Sequence, residues 1–396
     1  MDGINCIFGF FLYLVASLWA IKVAHAFSGC GKNLIWLAIF VKLAFAFMMY
    51  HILMEFYNGG DLPTYYLLAL KLSKFEVDLY QHLYLDHLVA VLNAFVMMCF
   101  GKNIYTLIYL SALSSLAYFL FSFSALKQTL MPKQRSLMAL LLFLPSLGLF
   151  STFTGGKEVY ILPCLGYLTY MLSLQRVHWF RLILIIMFIG LIRPYQAAIC
   201  AFCIMMCLFS ISNTKEKIRL IFFGIPLVFA CIVFLFQGLI GSMDMIIQIG
   251  LSKFINQTYH GGNFILQPYP MPFTFLQMFR PFVFEANGLF SFCQSIESTI
   301  VLIVFLRLIN CVFLHRKNYF KENASKSEFR LYRFLLYYII TNLILFSLSA
   351  NVGDLARRHI YVYPQIIVLF ALLQSVLFRV GTGRNDSHNR LLKEVI

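Results

Sequence analysis

Four short motifs interrupt the apolar sequence with cations and carboxylates. They are Gly155-Gly156-Lys157-Glu158, Arg193-Pro194-Tyr195-Gln196, Arg280-Pro281-Phe282-Val283-Phe284-Glu285 and Asn351-Val352-Gly353-Asp354-Leu355-Ala356-Arg357-Arg358. Arginine is the side chain best matched to phosphate oxygens, because it stays charged and offers a planar, bidentate donor edge. Lys157 and Glu158 follow two glycines at the predicted start of a helix, where free amides and the helix dipole favour an anion. The lysine there lacks the Gly-x4-Gly-Lys-Ser/Thr spacing of a nucleotide-binding loop. Arg193-Pro194 breaks an apolar run from 182 to 211. A central arginine costs about 2.5–3.5 kcal/mol on insertion scales, so it needs a polar cavity or a partner. Phosphate binding is one reading of Arg193; pairing with a nearby carboxylate such as Glu158 is the other.

Arg280 and Glu285 close the longest loop, 241–287, whose aromatics would seat in the headgroup region and leave both charges free to face a cleft. Arg357 and Arg358 precede the last predicted span. Asp61, in Tyr57-Asn58-Gly59-Gly60-Asp61, could serve as a general base or orient a sugar hydroxyl, with Tyr65 to stack on the ring. The bland alternative is a solvated Asp at a helix end. His260, in Tyr259-His260-Gly261-Gly262, could accept a proton near neutral pH. Lys42, Glu297 and Arg307 fall inside predicted spans and require partners or a polar cavity. Ten scattered cysteines imply no disulfide framework, and Cys200, Cys203 and Cys207 lack His or acidic companions, so they read as helix-packing residues, not metal ligands. No metal site and no cofactor is expected.

The elements that must position these residues are membrane helices. With 61% hydrophobic and 12% charged residues in 396, and a mean hydropathy of +0.81, the chain is excluded from the soluble globular class. The net charge of +15 resides in short loops as topological anchors and gives no reason to invoke nucleic acid. Spans are predicted at 5–24, 33–54, 103–126, 136–153, 158–174, 179–193, 196–212, 218–240, 288–314, 334–350 and 360–378. The first is read as a retained span, not a signal peptide. The connections around Lys127–Arg135, Arg176–Arg181, Lys215–Arg219 and His315–Arg333, with the tail 379–396, are the basic ones and are assigned to the cytoplasm. All four motifs then share the outer face, with the N-terminus outside. Residues 55–102 begin and end outside, so 62–75 and 87–101 are expected as interfacial or re-entrant helices. The chain reads as one transmembrane domain, 1–396, all-α and polytopic, with about eleven spans.

Taken together, these motifs resemble the Wzy-type and EpsG-like polymerases of bacterial surface polysaccharide. The resemblance rests on Gly59-Gly60-Asp61 with Tyr65, Gly155-Gly156-Lys157-Glu158, Arg193-Pro194, Arg280-Pro281-Phe282 with Glu285, and Asn351-Val352-Gly353-Asp354 with Arg357 and Arg358. It implies a GT-C-like inner-membrane enzyme that joins undecaprenyl-diphosphate-linked oligosaccharides at the periplasmic face without a cofactor. Under it, Arg193, Arg280, Arg357, Arg358 and Lys157 would hold the diphosphate. Asp61, Glu158 or Glu285 would be the base, and Tyr65, Tyr195, His260 and Asp354 would contact substrate. Membrane lipids and a chain-length regulator would be further partners. Three other classes compete: a glycosyltransferase using a polyprenyl-phosphate sugar, a flippase for the lipid-linked unit, and a structural partner in an assembly complex.

Overall fold

Apolar runs in a membrane must satisfy their backbone groups internally, and every regular element described here is a helix. The computed structural model describes residues 31–56, 62–77, 86–127, 155–211, 273–286, 288–314, 324–346 and 359–377, with residue 152 and scattered positions between 7 and 22. The helices described are α1 (Lys32–Phe56), α2 (Leu62–Ser73), α3 (Asp86–Phe100), α4 (Ile104–Ala125), α5 (Glu158–Ser173), α6 (Trp179–Ile192), α7 (Pro194–Ile211), α8 (Gly288–Leu314), α9 (Lys326–Phe346) and α10 (His359–Leu377). Two 3-10 turns, Phe273–Phe279 and Val283–Glu285, precede α8. Among the described residues, Lys32–Ile52, Ile104–Ala125, Pro194–Ile211, Ser291–Val312 and His359–Leu377 are long and apolar enough to cross a membrane. The chain is an α-helical, multi-pass membrane protein.

Lipid gives apolar side chains little reason to leave it, so the helices associate through small residues and polar contacts. α4 and α5 illustrate both. Gly166 lies against Tyr118 and Phe121, and Ser114 donates its hydroxyl to the Val159 carbonyl. That carbonyl is available because its helical partner would be the N–H of residue 163, which is Pro163. Ser114 meets Val159, Tyr118 meets Gly166, and Phe121 meets Tyr167 and Tyr170, so α4 and α5 run parallel. The spans expected at 136–153 and 218–240 lie outside the described residues.

α7 and α9 are antiparallel: Cys207 Sγ meets the Arg330 carbonyl at 3.2 Å, and Cys203 approaches Thr341 at 3.7 Å. α9 begins at Lys326, earlier than the expected 334. Ser325 and Glu328 form a reciprocal capping box, with Glu328 N donating to Ser325 Oγ at 3.2 Å and Ser325 N to Glu328 Oε2 at 2.9 Å. The cap extends the helix into the basic connection. It also delivers Arg330 to the free carbonyls at the end of α5, where its Nε donates to Leu172 at 2.9 Å and its Nη2 to Leu174.

α10 is the most enclosed helix, with every residue from 359 to 373 buried. A helix apolar on all sides belongs inside a bundle. α2 and α3, where interfacial helices are expected, pack on each other through Ala69, Leu72, Ala90, Ala94 and Met97. At 12 and 15 residues they are about 18 and 22 Å long, short of a ~30 Å hydrocarbon core.

Candidate functional site

The site forms where the start of α5, the break between α6 and α7, and the start of α10 meet. Proline disfavours helical geometry in the residue before it, and Arg193 takes an extended φ of −140° and ψ of 88°. Pro194 then opens α7, and the Arg193 carbonyl accepts from Gln196 N at 3.0 Å and Ala197 N at 3.2 Å. The arginine thus sits at a forced corner between two helices, with its side chain turned toward α5. Its Nη2 donates to Glu158 Oε1 at 2.6 Å and its Nη1 to Tyr195 OH at 2.9 Å. The guanidinium carbon lies 5.4 Å from the Tyr361 ring and 5.9 Å from the Tyr195 ring. A guanidinium has five N–H donors. Two are used, and the other three have no protein acceptor among the described residues.

Glu158 is buried, 4% exposed, at the first position of α5. The turn before it depends on Gly155, whose φ of +66° is a conformation that a side chain would penalise. Asn93, wholly buried on α3, holds that turn. Its Nδ2 donates to the Gly155 carbonyl at 2.9 Å, and its Oδ1 accepts from Tyr160 OH at 2.8 Å. Lys157 is half-buried on the same turn. Asn93 was not singled out in the sequence; the available signal was one amide inside an otherwise apolar helix.

Arg280 is in a different state. Its Nε donates to Glu285 Oε2 at 3.0 Å, its Nη2 to Glu285 Oε1, and its Nη1 to Gln277 Oε1 at 3.0 Å. Glu285 Oε2 also accepts from Phe282 N at 2.9 Å. Both side chains are largely buried. These charges were expected to be free to face a cleft. A five-residue spacing lets them close on each other instead, which offsets the desolvation of both.

The start of α10 touches both groups. Tyr361 faces Arg193, whereas Tyr363 OH donates to the Met278 carbonyl at 3.1 Å, and its ring stacks on Phe279 with centroids 6.0 Å apart. Tyr363 OH also lies 3.1 Å from Ser298 Oγ and 3.3 Å from His359 Nε2. His359 is buried and stacks on Tyr363 at 4.2 Å. None of these three α10 residues stood out in the sequence, because an aromatic in an apolar helix reads as core. Gln196 donates to Tyr338 OH, and Gln365 to Tyr118 OH at 3.2 Å, extending a polar seam inward.

Of the other predicted site residues, Tyr65 is buried in the hydrophobic core. Asp61, His260, Asp354, Arg357 and Arg358 lie outside the described residues. Lys42 and Glu297 are both buried and interact electrostatically, whereas Arg307 stands on an exposed face of α8. Cys200, Cys203 and Cys207 are buried free thiols along α7. Among the described residues no group of three His, Cys, Asp or Glu side chains could hold a metal ion. No protein-family model, characterised protein or solved structure matches this chain.

Proposed function

We propose that this protein is a polymerase of surface polysaccharide, moving a growing glycan from undecaprenyl diphosphate onto the next lipid-linked repeat. On this reading it is a GT-C-like protein of about eleven spans in the bacterial inner membrane. The arginine motifs face the periplasm, as does the N-terminus, and the C-terminus is cytoplasmic. One observation carries the reading. Arg193 is braced by Tyr195, Tyr361 and Glu158, yet three of its N–H groups have no protein acceptor among the described residues. A fixed guanidinium with an open donor edge suits a diphosphate in both ground state and leaving group.

The acceptor hydroxyl oxygen attacks the anomeric carbon, the bond to the diphosphate oxygen breaks, and its electron pair leaves with the diphosphate. The hydroxyl proton passes to a carboxylate. Glu285 has both oxygens committed to Arg280, so the base is assigned to Asp61 or Glu158. Arg280 shapes the loop, and Lys157 adds positive potential beside Glu158.

The test is a gel of surface glycolipid from the source bacterium, comparing the gene deletion with complementation by wild type, R193Q, D61N and E158Q. A polymerase predicts loss of the ladder with a single repeat retained on the lipid core, and no rescue by R193Q. An intact ladder with altered sugars would instead indicate a side-chain transferase, and loss of even the single repeat a flippase.

A further inference from the structure

We infer that Tyr361 is the residue that sets the orientation of Arg193 toward an anionic ligand. The inference rests on the diphosphate reading above and adds a positioning role to a residue far from Arg193 in sequence.

Among the described residues, Arg193 has three partners of different kinds. Glu158 supplies charge at 2.6 Å, and Tyr195 supplies a hydroxyl from the same helical turn. Tyr195 is 42% exposed, and it moves with the corner that carries the arginine. Tyr361 is 0% exposed and comes from α10, the helix enclosed on every side. Its ring, 5.4 Å from the guanidinium carbon, is therefore a fixed surface, as the buried Glu158 carboxylate is, whereas Tyr195 is not.

The chemistry follows from where a guanidinium keeps its donors. All five N–H groups point outward in the plane of the group, and an aromatic ring attracts the cation without consuming any of them. Glu158 neutralises Arg193 but takes a donor, as does Tyr195. Tyr361 takes none. The ring holds the cation while leaving its open edge for phosphate oxygens. Tyr363, two residues on and therefore near the opposite side of the same turn, ties down the segment that carries Arg280 through the Met278 carbonyl. The turn that presents Tyr361 is thereby anchored from behind.

The experiment uses full-length protein in detergent and measures binding of farnesyl diphosphate, with inorganic pyrophosphate as the lipid-free control. Y361L should weaken binding about 5- to 30-fold, the change that about 1–2 kcal/mol of cation–π interaction corresponds to. Y361F keeps the ring and should restore binding to within about two-fold of wild type. In an R193Q background, Y361L should have no further effect on binding. A packing role predicts otherwise: Y361L would lower thermal stability equally in both backgrounds, with no coupling to Arg193 in binding. Loss of binding in R193Q but wild-type binding in Y361L would overturn the role of Tyr361 and leave the diphosphate reading standing. Equal binding by wild type and R193Q, or none by either, would remove both. Pyrophosphate matching farnesyl diphosphate in affinity supports recognition of the diphosphate itself; tighter binding of the lipid supports a contribution from the chain, with the same Tyr361 dependence.

Discussion

Arg193 and Glu158 meet at 2.6 Å, the arginine from the corner between α6 and α7 and the carboxylate from the first residue of α5. Neither charge is well solvated, with side-chain exposures of 14% and 5%. Removing one leaves the other buried without its counter-ion, which costs about 3–5 kcal/mol in the strongest cases. R193Q and E158Q should each lower the thermal unfolding midpoint in detergent, and the double variant should cost clearly less than their sum. Strict additivity in that cycle would mean the pair contributes nothing.

Arg280 and Glu285 make the sharper contrast. Every nitrogen of Arg280 has a partner, so R280K keeps the charge and still loses the fork geometry. R280K should cost about 2 kcal/mol of stability, with ligand affinity changing only as the loop loosens. R193K should show the reverse weighting. Ligand binding and thermal unfolding of the two variants, measured side by side, decide this; equal profiles would erase the distinction between an arginine partnered at every nitrogen and one that keeps donors open.

Gly166 lets α4 and α5 approach closely. A Cβ there would fall 3.0 Å from Tyr118 Cδ2, 3.1 Å from the Tyr118 carbonyl and 3.2 Å from Phe121 Cβ. Backbone cannot give way as a side-chain tip can, so G166A should cost about 1–3 kcal/mol despite its gain in helix propensity. A stabilised G166A would show that the two helices part easily.

The Ser325–Glu328 box sets where α9 begins. S325A should cost about 1 kcal/mol locally and make the first-turn amides exchange about five-fold faster. Amides beyond the second turn should be unaffected. Unchanged exchange at residues 326–329 would mean the helix start is held by packing alone.

Much of this architecture was legible in the chain itself. Uninterrupted apolar runs can only become helices in lipid, so α1, α4 to α8 and α10 stand close to where hydropathy puts them. Arg193-Pro194 encodes its own corner, because proline acts on the residue before it and the one after. The Ser325-x-x-Glu328 signal was present too, but the surrounding basic residues made the segment read as a loop. Pairing across helices is another matter. Spacing along the chain offered Glu158 as one of two readings of Arg193 without choosing between them, and it cannot say that Asn93 grips Gly155 or that Tyr361 lies against the guanidinium. Those contacts depend on the angles and depths at which separate helices cross, and an apolar helix looks the same from sequence whichever side meets its neighbour. Apolar runs broken by a few cationic motifs dictate a helical membrane protein before any contact is known. That Arg280 is partnered at every nitrogen while Arg193 keeps donors open follows from packing alone, because only packing brings a carboxylate or a ring within reach.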